Sequence, residues 1–305
     1  MKKFFSSTTA QVLILTIIGT LGAGIMVTGV KYLSDDLHSF VIAFFRCFFG
    51  LIIIIPFILK NNLKDLKTNN IKIHFFRSAL NCISMLTWFT AIGIMPLEKA
   101  TALGFTTPLF ATIFAVIFLK EIIKIHRTFA LFIGFIGIII IIRPGYINVE
   151  LGTYLMIIAS ISWAFVLIII KKLSKNDSSL TIIFYMLAIM TPITFIIAIP
   201  VWSLPTFKEL IIFAGMGLGG LIAHLCLVQS LKIADTTLVM PFQYLKLIWA
   251  SLIGSIIFLE KPDLWTWIGG TIVFCAVIYI TYRESITKKN LSEKIITVRP
   301  SVDDT

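Results

Sequence analysis

A lysine lies deep within an apolar stretch near the end of the chain. The stretch from Thr236 to Glu260 has the length of a membrane helix and contains Lys246. At about 1.5 Å per residue, Lys246 is roughly 15 Å from the start of such a helix and roughly 21 Å from its end, farther than its stem can reach. Because a cation facing lipid costs at least about 2.5 kcal/mol, Lys246 is predicted to face a watery cavity where it can bind an anion.

Other polar groups share this segment. Pro241 removes one backbone hydrogen bond, and Gln243 and Lys246 fall on one helical face with Ala250. We therefore predict that Gln243, Tyr244 and Lys246 bind substrate on a cavity wall. The alternative is a kinked helix whose polar groups bond neighbouring helices for packing alone.

Two arginines also lie in apolar runs. Arg46 follows Ser39 by seven residues and so lies about 10 Å into the membrane. At this depth its side chain could either extend to the lipid headgroups or bind a substrate. Arg77 is close to the start of its run and is predicted to anchor at the headgroups. We predict a substrate-binding role for Arg46.

Three further intramembrane side chains are predicted to line the same path: Asn81, Trp88 and His224. Asn81 and His224 could instead join helices by hydrogen bonds, which contribute about 0.6 kcal/mol in lipid. Trp88 and Trp163 could stack on a ring-bearing ligand or belong to the interfacial aromatic belt, with Trp88 the deeper of the two.

Carboxylates are confined to the ends of the apolar runs, as Glu98, Glu121, Asp235 and Glu260 illustrate. Glu121 and Glu260 are interpreted as structural residues at helix ends. Because the deep charges are cations, the predicted site favours a ligand that carries a carboxylate or phosphate, including a zwitterion such as an amino-acid derivative.

The composition describes a membrane protein. Hydrophobic residues make up 58% of the 305, charged residues only 13%, and the mean hydropathy is +0.99. The net charge of +11 comes from basic residues scattered over connectors, which argues against nucleic acid as a partner. The four cysteines lie within apolar runs and are predicted to pack there, without a metal or cofactor.

Ten apolar runs have the length that crosses a bilayer as a helix. They cover residues 10–33, 39–59, 74–95, 99–119, 127–143, 151–172, 180–201, 210–231, 236–259 and 264–282. Residues 1–9 precede them, and 283–305 form a polar tail that is predicted to be disordered. The fold class is therefore an all-α integral membrane protein.

Basic residues predict the orientation of the chain. Eighteen lie on the side that holds both termini if there are ten spans, against five on the other side (Lys31, Lys99, Arg143, Lys208 and Lys261). This asymmetry places both termini in the cytoplasm.

The chain contains an internal repeat. Residues 91–144 match residues 230–283 at an offset of 139, including FLKE at 118–121 and FLEK at 258–261, and VKYLS at 30–34 matches IKKLS at 170–174. Each half has five spans, and an odd number inverts the second copy. An inverted repeat is typical of secondary transporters whose site lies between the halves.

These features resemble the EamA-type members of the drug/metabolite transporter superfamily. The resemblance covers residues 10–143 and 151–282 as two five-helix repeats, and the stretches LHSFVIAFFRCFF and PFQYLKL are similar to the bacterial S-adenosylmethionine uptake branch. It implies a multi-pass transporter in the bacterial inner membrane that moves a small metabolite by alternating access. Export of drugs or excess metabolites, or uptake of a riboflavin-like vitamin, is the alternative.

An intramembrane enzyme is the competing class. Such an enzyme needs paired carboxylates, an HExxH motif or a nucleophile with a base in reach, and the sequence presents no such set. A scaffold subunit would explain the spans but not two deep cations. The patterns leave open the exact substrate, the direction of transport, the coupling mode and the oligomeric state.

Overall fold

The computed structural model describes residues 8–60, 66–95, 100, 103–104, 106–121, 125–142 and 151–246, and single residues or pairs between 249 and 283. The described parts contain helices and short turns but no strand. The helices are α1 (Thr8–Leu33), α2 (Ser39–Lys60), α3 (Ile71–Ile94), α4 (Thr106–Leu119), α5 (Ile125–Ile142), α6 (Leu151–Leu173), α7 (Ser179–Ala198), α8 (Phe207–Ile233) and α9 (Thr236–Phe242).

Five helices in the described ranges are long and apolar enough to cross a membrane: α1, α2, α6, α7 with the 3-10 turn Ile199–Val201, and α8. They coincide with five of the predicted runs. The ninth run is described continuously only over 236–246, and the tenth only at single residues or pairs. The count of ten spans therefore stays a prediction.

The inversion of the two halves follows from contacts at the helix ends. Lys31, at the end of α1, donates to the carbonyls of Ile92 and Met95 at the end of α3, at 3.4 and 3.5 Å. At the other end of α3, His74 contacts Asp177, which follows α6. The ends of α1 and α6 therefore lie at opposite faces, as an inverted repeat requires. We name the face where α1 begins the N-terminal face, and the other the opposite face.

The hydrogen bonds repeat along with the helices. Lys171 donates to the carbonyls of Leu231 and Ala234 at the end of α8, so it makes the bonds of Lys31 at offsets of 139 to 140 residues. Each lysine thus stabilises the C-terminal carbonyls of a neighbouring helix.

Close packing of α1 on α8 depends on glycine. A Cβ added at Gly219 would lie 2.6 Å from the backbone oxygen of Gly22, and one added at Gly22 would lie 2.7 Å from the oxygen of Gly219. Both positions must be glycine for the two helices to come this close, as the glycines in these two apolar runs predict.

The FLKE sequence joins the halves at the N-terminal face. After α4 ends, Lys120 has a φ of 55°, and this left-handed residue turns the chain. The Glu121 carboxylate then accepts hydrogen bonds from the backbone nitrogens of Thr236 and Thr237, both at 2.9 Å. Glu121 therefore has the predicted structural role, but at the start of α9 and not at the end of its own helix.

Glu121→Ala is expected to destabilise the protein by about 1 to 3 kcal/mol, because two backbone N–H groups lose a charged acceptor. Thermal unfolding in detergent measures this as a lower midpoint. Glu209→Ala is the control, because Glu209 caps α8 at an exposed end and its loss should cost less. Equal midpoints for the two variants would contradict a joining role for Glu121.

Arg77 lies elsewhere than predicted. The prediction of a headgroup anchor is wrong, because the side chain is fully buried between α3 and α7. Its Nη1 donates to the carbonyl of Ile182 at 3.0 Å, and its Nη2 lies 3.7 Å from the sulfur of Met186. The contact with the second half holds the guanidinium away from the surface.

Candidate functional site

A cavity of about 210 Å³ lies between the two halves. Helices α1, α2, α3 and α4 line it from the first half, and α6, α8 and the α9 segment line it from the second. Six of the seven predicted site residues lie on its wall: Arg46, Asn81, Trp88, His224, Gln243 and Lys246.

A break in α9 presents two of these residues. The sequence predicts one helix through 236–259, but α9 ends at Phe242 and a turn follows at Gln243 and Tyr244. Pro241 removes one helical hydrogen bond just before the break, and the backbone nitrogens of Gln243 and Tyr244 bond the carbonyls three residues back, of Met240 and Pro241. Gln243 and Lys246 then line the cavity, and the Lys246 ammonium has no hydrogen-bond partner among the described residues.

Arg46 is the second cation of the cavity, and its side chain is only 3% exposed. Its Nε lies 3.4 Å from the sulfur of Met26, and its Nη1 lies 3.8 Å from the sulfur of Cys47. Sulfur is a weak acceptor, so these contacts leave most of the guanidinium's capacity for a stronger acceptor. Arg46 is thus well placed to bind an anionic group of a ligand.

Gly220 fixes where the Arg46 guanidinium lies. A Cβ at this position of α8 would lie 2.7 Å from Nη2 and 3.0 Å from Nε of Arg46. Only glycine lets the planar group lie directly against the α8 backbone. The sequence does not reveal this role, because the glycine and the arginine are 174 positions apart.

Aromatic and amide groups complete the wall. The rings of Trp163 and His224 meet edge to face with centroids 5.4 Å apart, and both line the cavity with Trp88. The Nδ2 of Asn81 donates to the sulfur of Met190 at 3.3 Å. The belt position considered for Trp163 is therefore wrong, since the side chain lies at the centre of the bundle.

Tyr244 does not reach the cavity. Its side chain is fully buried, and the hydroxyl donates to the carbonyl of Leu131 in α5 at 3.3 Å. The ring packs directly on Gly134. Tyr244 therefore faces α5, whereas its neighbour Gln243 faces the cavity.

The repeat places a plainer residue opposite five of the polar or aromatic residues of the cavity wall. At offsets of 139 or 140, each of five wall residues has an equivalent that is smaller, apolar or uncharged and also lines the cavity. The pairs are Lys246 with Thr107, Gln243 with Gly104, His224 with Met85, Trp88 with Leu227, and Trp163 with Ala23. The helices of the two halves are related by the repeat, but the polar and aromatic side chains of these five pairs are not. This difference favours a single orientation for a bound ligand.

The charges on the wall have one sign. Arg46 and Lys246 line the cavity, whereas no aspartate or glutamate is found among the described residues that line it. Away from the cavity wall, the Nε2 of His74 lies 2.9 Å from the Oδ2 of Asp177. The cavity can therefore bind a negatively charged group beside aromatic rings.

Comparison with known proteins identifies the family. The EamA-like transporter family matches residues 10–143 and 150–282, which is nearly the whole membrane part of the chain. The chain belongs to the EamA-like transporter family. The membership that the repeat and the span pattern predict is thus confirmed, and the two matched segments are the two halves of the repeat.

Other EamA-like relatives carry specific names. Proteins named S-adenosylmethionine uptake transporter, from Rickettsia bellii and Rickettsia prowazekii, are each 33% identical over 87% of this chain and cover 90% and 89% of their own lengths. A protein named riboflavin transporter, from Vibrio cholerae, is 30% identical over 85% of this chain and 88% of its own length.

A solved structure has a similar fold. A crystal structure of a protein that is 13% identical has a TM-score of 0.71, over 88% of this chain and 96% of the other. At that identity the likeness shows the fold alone.

Proposed function

We propose that this EamA-like protein is a secondary transporter of a small metabolite with an anionic group, which it moves across the bacterial cytoplasmic membrane by alternating access. Both termini lie in the cytoplasm in this proposal. The observation that carries it is the cavity between the halves, where Lys246 and Arg46 meet no carboxylate among the described residues.

Lys246 and Arg46 bind the anionic group in this scheme. Lys246 approaches from the α9 segment and Arg46 from α2, so the ligand contacts both halves at once. A ligand that bridges the halves can have different contacts in the inward-open and outward-open states, which a carrier requires. Gln243 and Asn81 add neutral hydrogen-bonding groups to the same wall.

The substrate class is an amino-acid derivative or a zwitterion similar to S-adenosylmethionine. A carboxylate suits the two cations, while Trp88 and Trp163 suit a ring system or a cationic centre by stacking or cation–π contact. The names of the two Rickettsia relatives agree with this class.

Uptake of a riboflavin-like vitamin is the second candidate. The Vibrio cholerae relative carries that name, and the two cavity tryptophans could enclose a flat ring. A neutral vitamin makes no use of a paired cation set, so the first candidate fits the charges better. Export of drugs or excess metabolites uses the same cavity in the other direction.

Counterflow in liposomes tests the proposal. Purified protein is reconstituted, loaded with each unlabelled solute of a panel, and assayed for uptake of the labelled form; the panel holds amino acids, S-adenosylmethionine, nucleotides and riboflavin. We expect saturable exchange of an anionic or zwitterionic solute. A panel without saturable exchange contradicts the carrier, and exchange of riboflavin alone selects the second candidate.

A further inference from the structure

A buried polar cluster joins the two halves at the N-terminal face, outside the cavity. The Nε2 of His74 in α3 lies 2.9 Å from the Oδ2 of Asp177, and Thr68 donates to the same oxygen at 3.1 Å. His74 is fully buried and Asp177 is 6% exposed. A buried histidine–carboxylate pair therefore bridges the first repeat to the α6–α7 connection of the second.

The groups that face His74 can be named from each packed element. The ring of Tyr185 in α7 lies with its centroid 4.9 Å from that of His74, and its hydroxyl donates to the carbonyl of Leu66 at 3.0 Å. Arg77 follows one turn later in the same helix. With Asp177, these groups face His74, and the exposed Lys67 and Lys175 lie beside the cluster at the surface.

Two nitrogens of the cluster are buried without a hydrogen-bond partner, Nδ1 of His74 and Nε of Arg77. A neutral imidazole with its proton on Nε2 fits this arrangement, since Nε2 then donates to Asp177. A second proton would place an N–H on Nδ1 where the described residues offer no acceptor, and would add a positive charge close to Arg77. The Asp177 carboxylate attracts this proton, but the burial of the ring, the lack of an acceptor at Nδ1 and the positive charge of Arg77 oppose it, and together they make protonation of His74 unfavourable while the contact is closed.

The opposite face has the equivalent contact without titratable groups. At the offsets of the repeat, His74, Tyr185 and Asp177 correspond to Phe213, Phe45 and Leu37. The rings of Phe45 and Phe213 are also 4.9 Å apart, and all three residues are buried. The equivalent contacts between the halves therefore differ: the contact at the opposite face is apolar, and the contact at the N-terminal face contains a histidine that can bind a proton.

We propose that His74 and Asp177 form a proton-binding latch between the repeats: the contact is closed while His74 is neutral and opens at the N-terminal face when His74 takes up a proton. By linkage, opening this face increases the affinity of His74 for a proton. The effect on transport rests on the proposed carrier function, whereas the opening itself does not.

Spin-label distances test the latch without a substrate. Labels are attached at Lys67→Cys and Lys175→Cys, both exposed beside the latch, in protein whose native cysteines are replaced by alanine and which is held in lipid nanodiscs. A reference pair at Asp35→Cys and Phe207→Cys reports the opposite face. Electron–electron double resonance is recorded at about pH 7.5 and about pH 5.5, which bracket the usual histidine titration.

We expect the distance at the N-terminal face to lengthen by several ångström in the acid sample, while the reference distance does not lengthen. His74→Gln removes the titration and keeps an N–H donor for Asp177. The double variant His74→Phe, Asp177→Leu reproduces the side chains of the opposite face, which this fold already packs. The acid response should disappear in both variants. An unchanged distance in the parent protein, or an equal response in either folded variant, overturns the proposal.

Counterflow of S-adenosylmethionine and riboflavin in the same proteins separates the two proposals. Exchange that depends on pH in the parent protein and loses that dependence in the double variant supports both. A distance response without exchange of any panel solute overturns the carrier and supports the latch. Exchange without a distance response overturns the latch and supports the carrier.

Discussion

Replacing Lys246 by Met is expected to lower counterflow at least about 30-fold while the protein still folds. The loss follows from leaving the anionic group of a bound substrate without its partner, which costs about 2 to 5 kcal/mol in a buried site. Folding should persist because the Lys246 ammonium has no hydrogen-bond partner among the described residues, and Met occupies a similar volume. Initial exchange rates in liposomes, normalised to inserted protein, give the result.

Lys232→Met is the matched control for this variant. Lys232 is exposed at the end of α8, so its loss removes one charge from the chain without changing the cavity. Lys246→Arg keeps the cation and should retain part of the activity. Undiminished exchange by Lys246→Met would rule out Lys246 as the anion-binding group.

Gly220→Ala is expected to reduce exchange about tenfold or more, although residue 220 itself supplies no polar side chain. The added Cβ would lie 2.7 Å from Nη2 of Arg46, so the guanidinium must move from its place against α8. The end of an arginine side chain can move without unfolding the helix. The substitution should therefore displace the positive charge in the cavity and leave the protein folded. A shift of about 1 Å at a binding group can cost a hundredfold.

Gly215→Ala provides the control within the same helix. A Cβ at Gly215 meets nothing within 4 Å, and alanine favours a helix over glycine by about 1 kcal/mol. This variant should be at least as stable as the parent and fully active. If Gly220→Ala matches Gly215→Ala in exchange rate, the position of Arg46 is irrelevant to transport.

Much of the fold follows from the sequence alone. Runs of about 20 apolar residues can cross a bilayer only as helices, so their lengths predict α1, α2, α6, α7 and α8 with few alternatives. The repeat predicts the inversion, and the matching bonds of Lys31 and Lys171 agree with it. The interruption after Phe242 is harder to predict, because Pro241 kinks some helices and breaks others.

The cavity residues are predictable for an energetic reason. A polar or charged side chain deep in an apolar run must face something other than lipid, so depth alone selects Arg46, Asn81, His224 and Lys246. Depth does not distinguish a cavity from a helix contact. Tyr244 therefore shares the segment but packs against α5, where its hydroxyl bonds Leu131.

Contacts between distant segments account for what the sequence does not predict. The burial of Arg77 depends on a carbonyl of α7, and the pairing of His74 depends on Asp177 in a connector 103 positions later. Asp177 lies outside every apolar run, so a count of intramembrane carboxylates does not include it. Only the packing of the two halves reveals these partners.

The most direct test of an anion site at Lys246 is a competition measurement on the solute that exchanges in liposomes. Counterflow is inhibited by that solute and, in parallel, by an analogue whose anionic group is removed or esterified. We expect the analogue to inhibit parent protein at least about 30-fold more weakly, and the difference to vanish in Lys246→Met. Equal inhibition of the parent protein by both compounds would contradict recognition of an anionic group by Lys246.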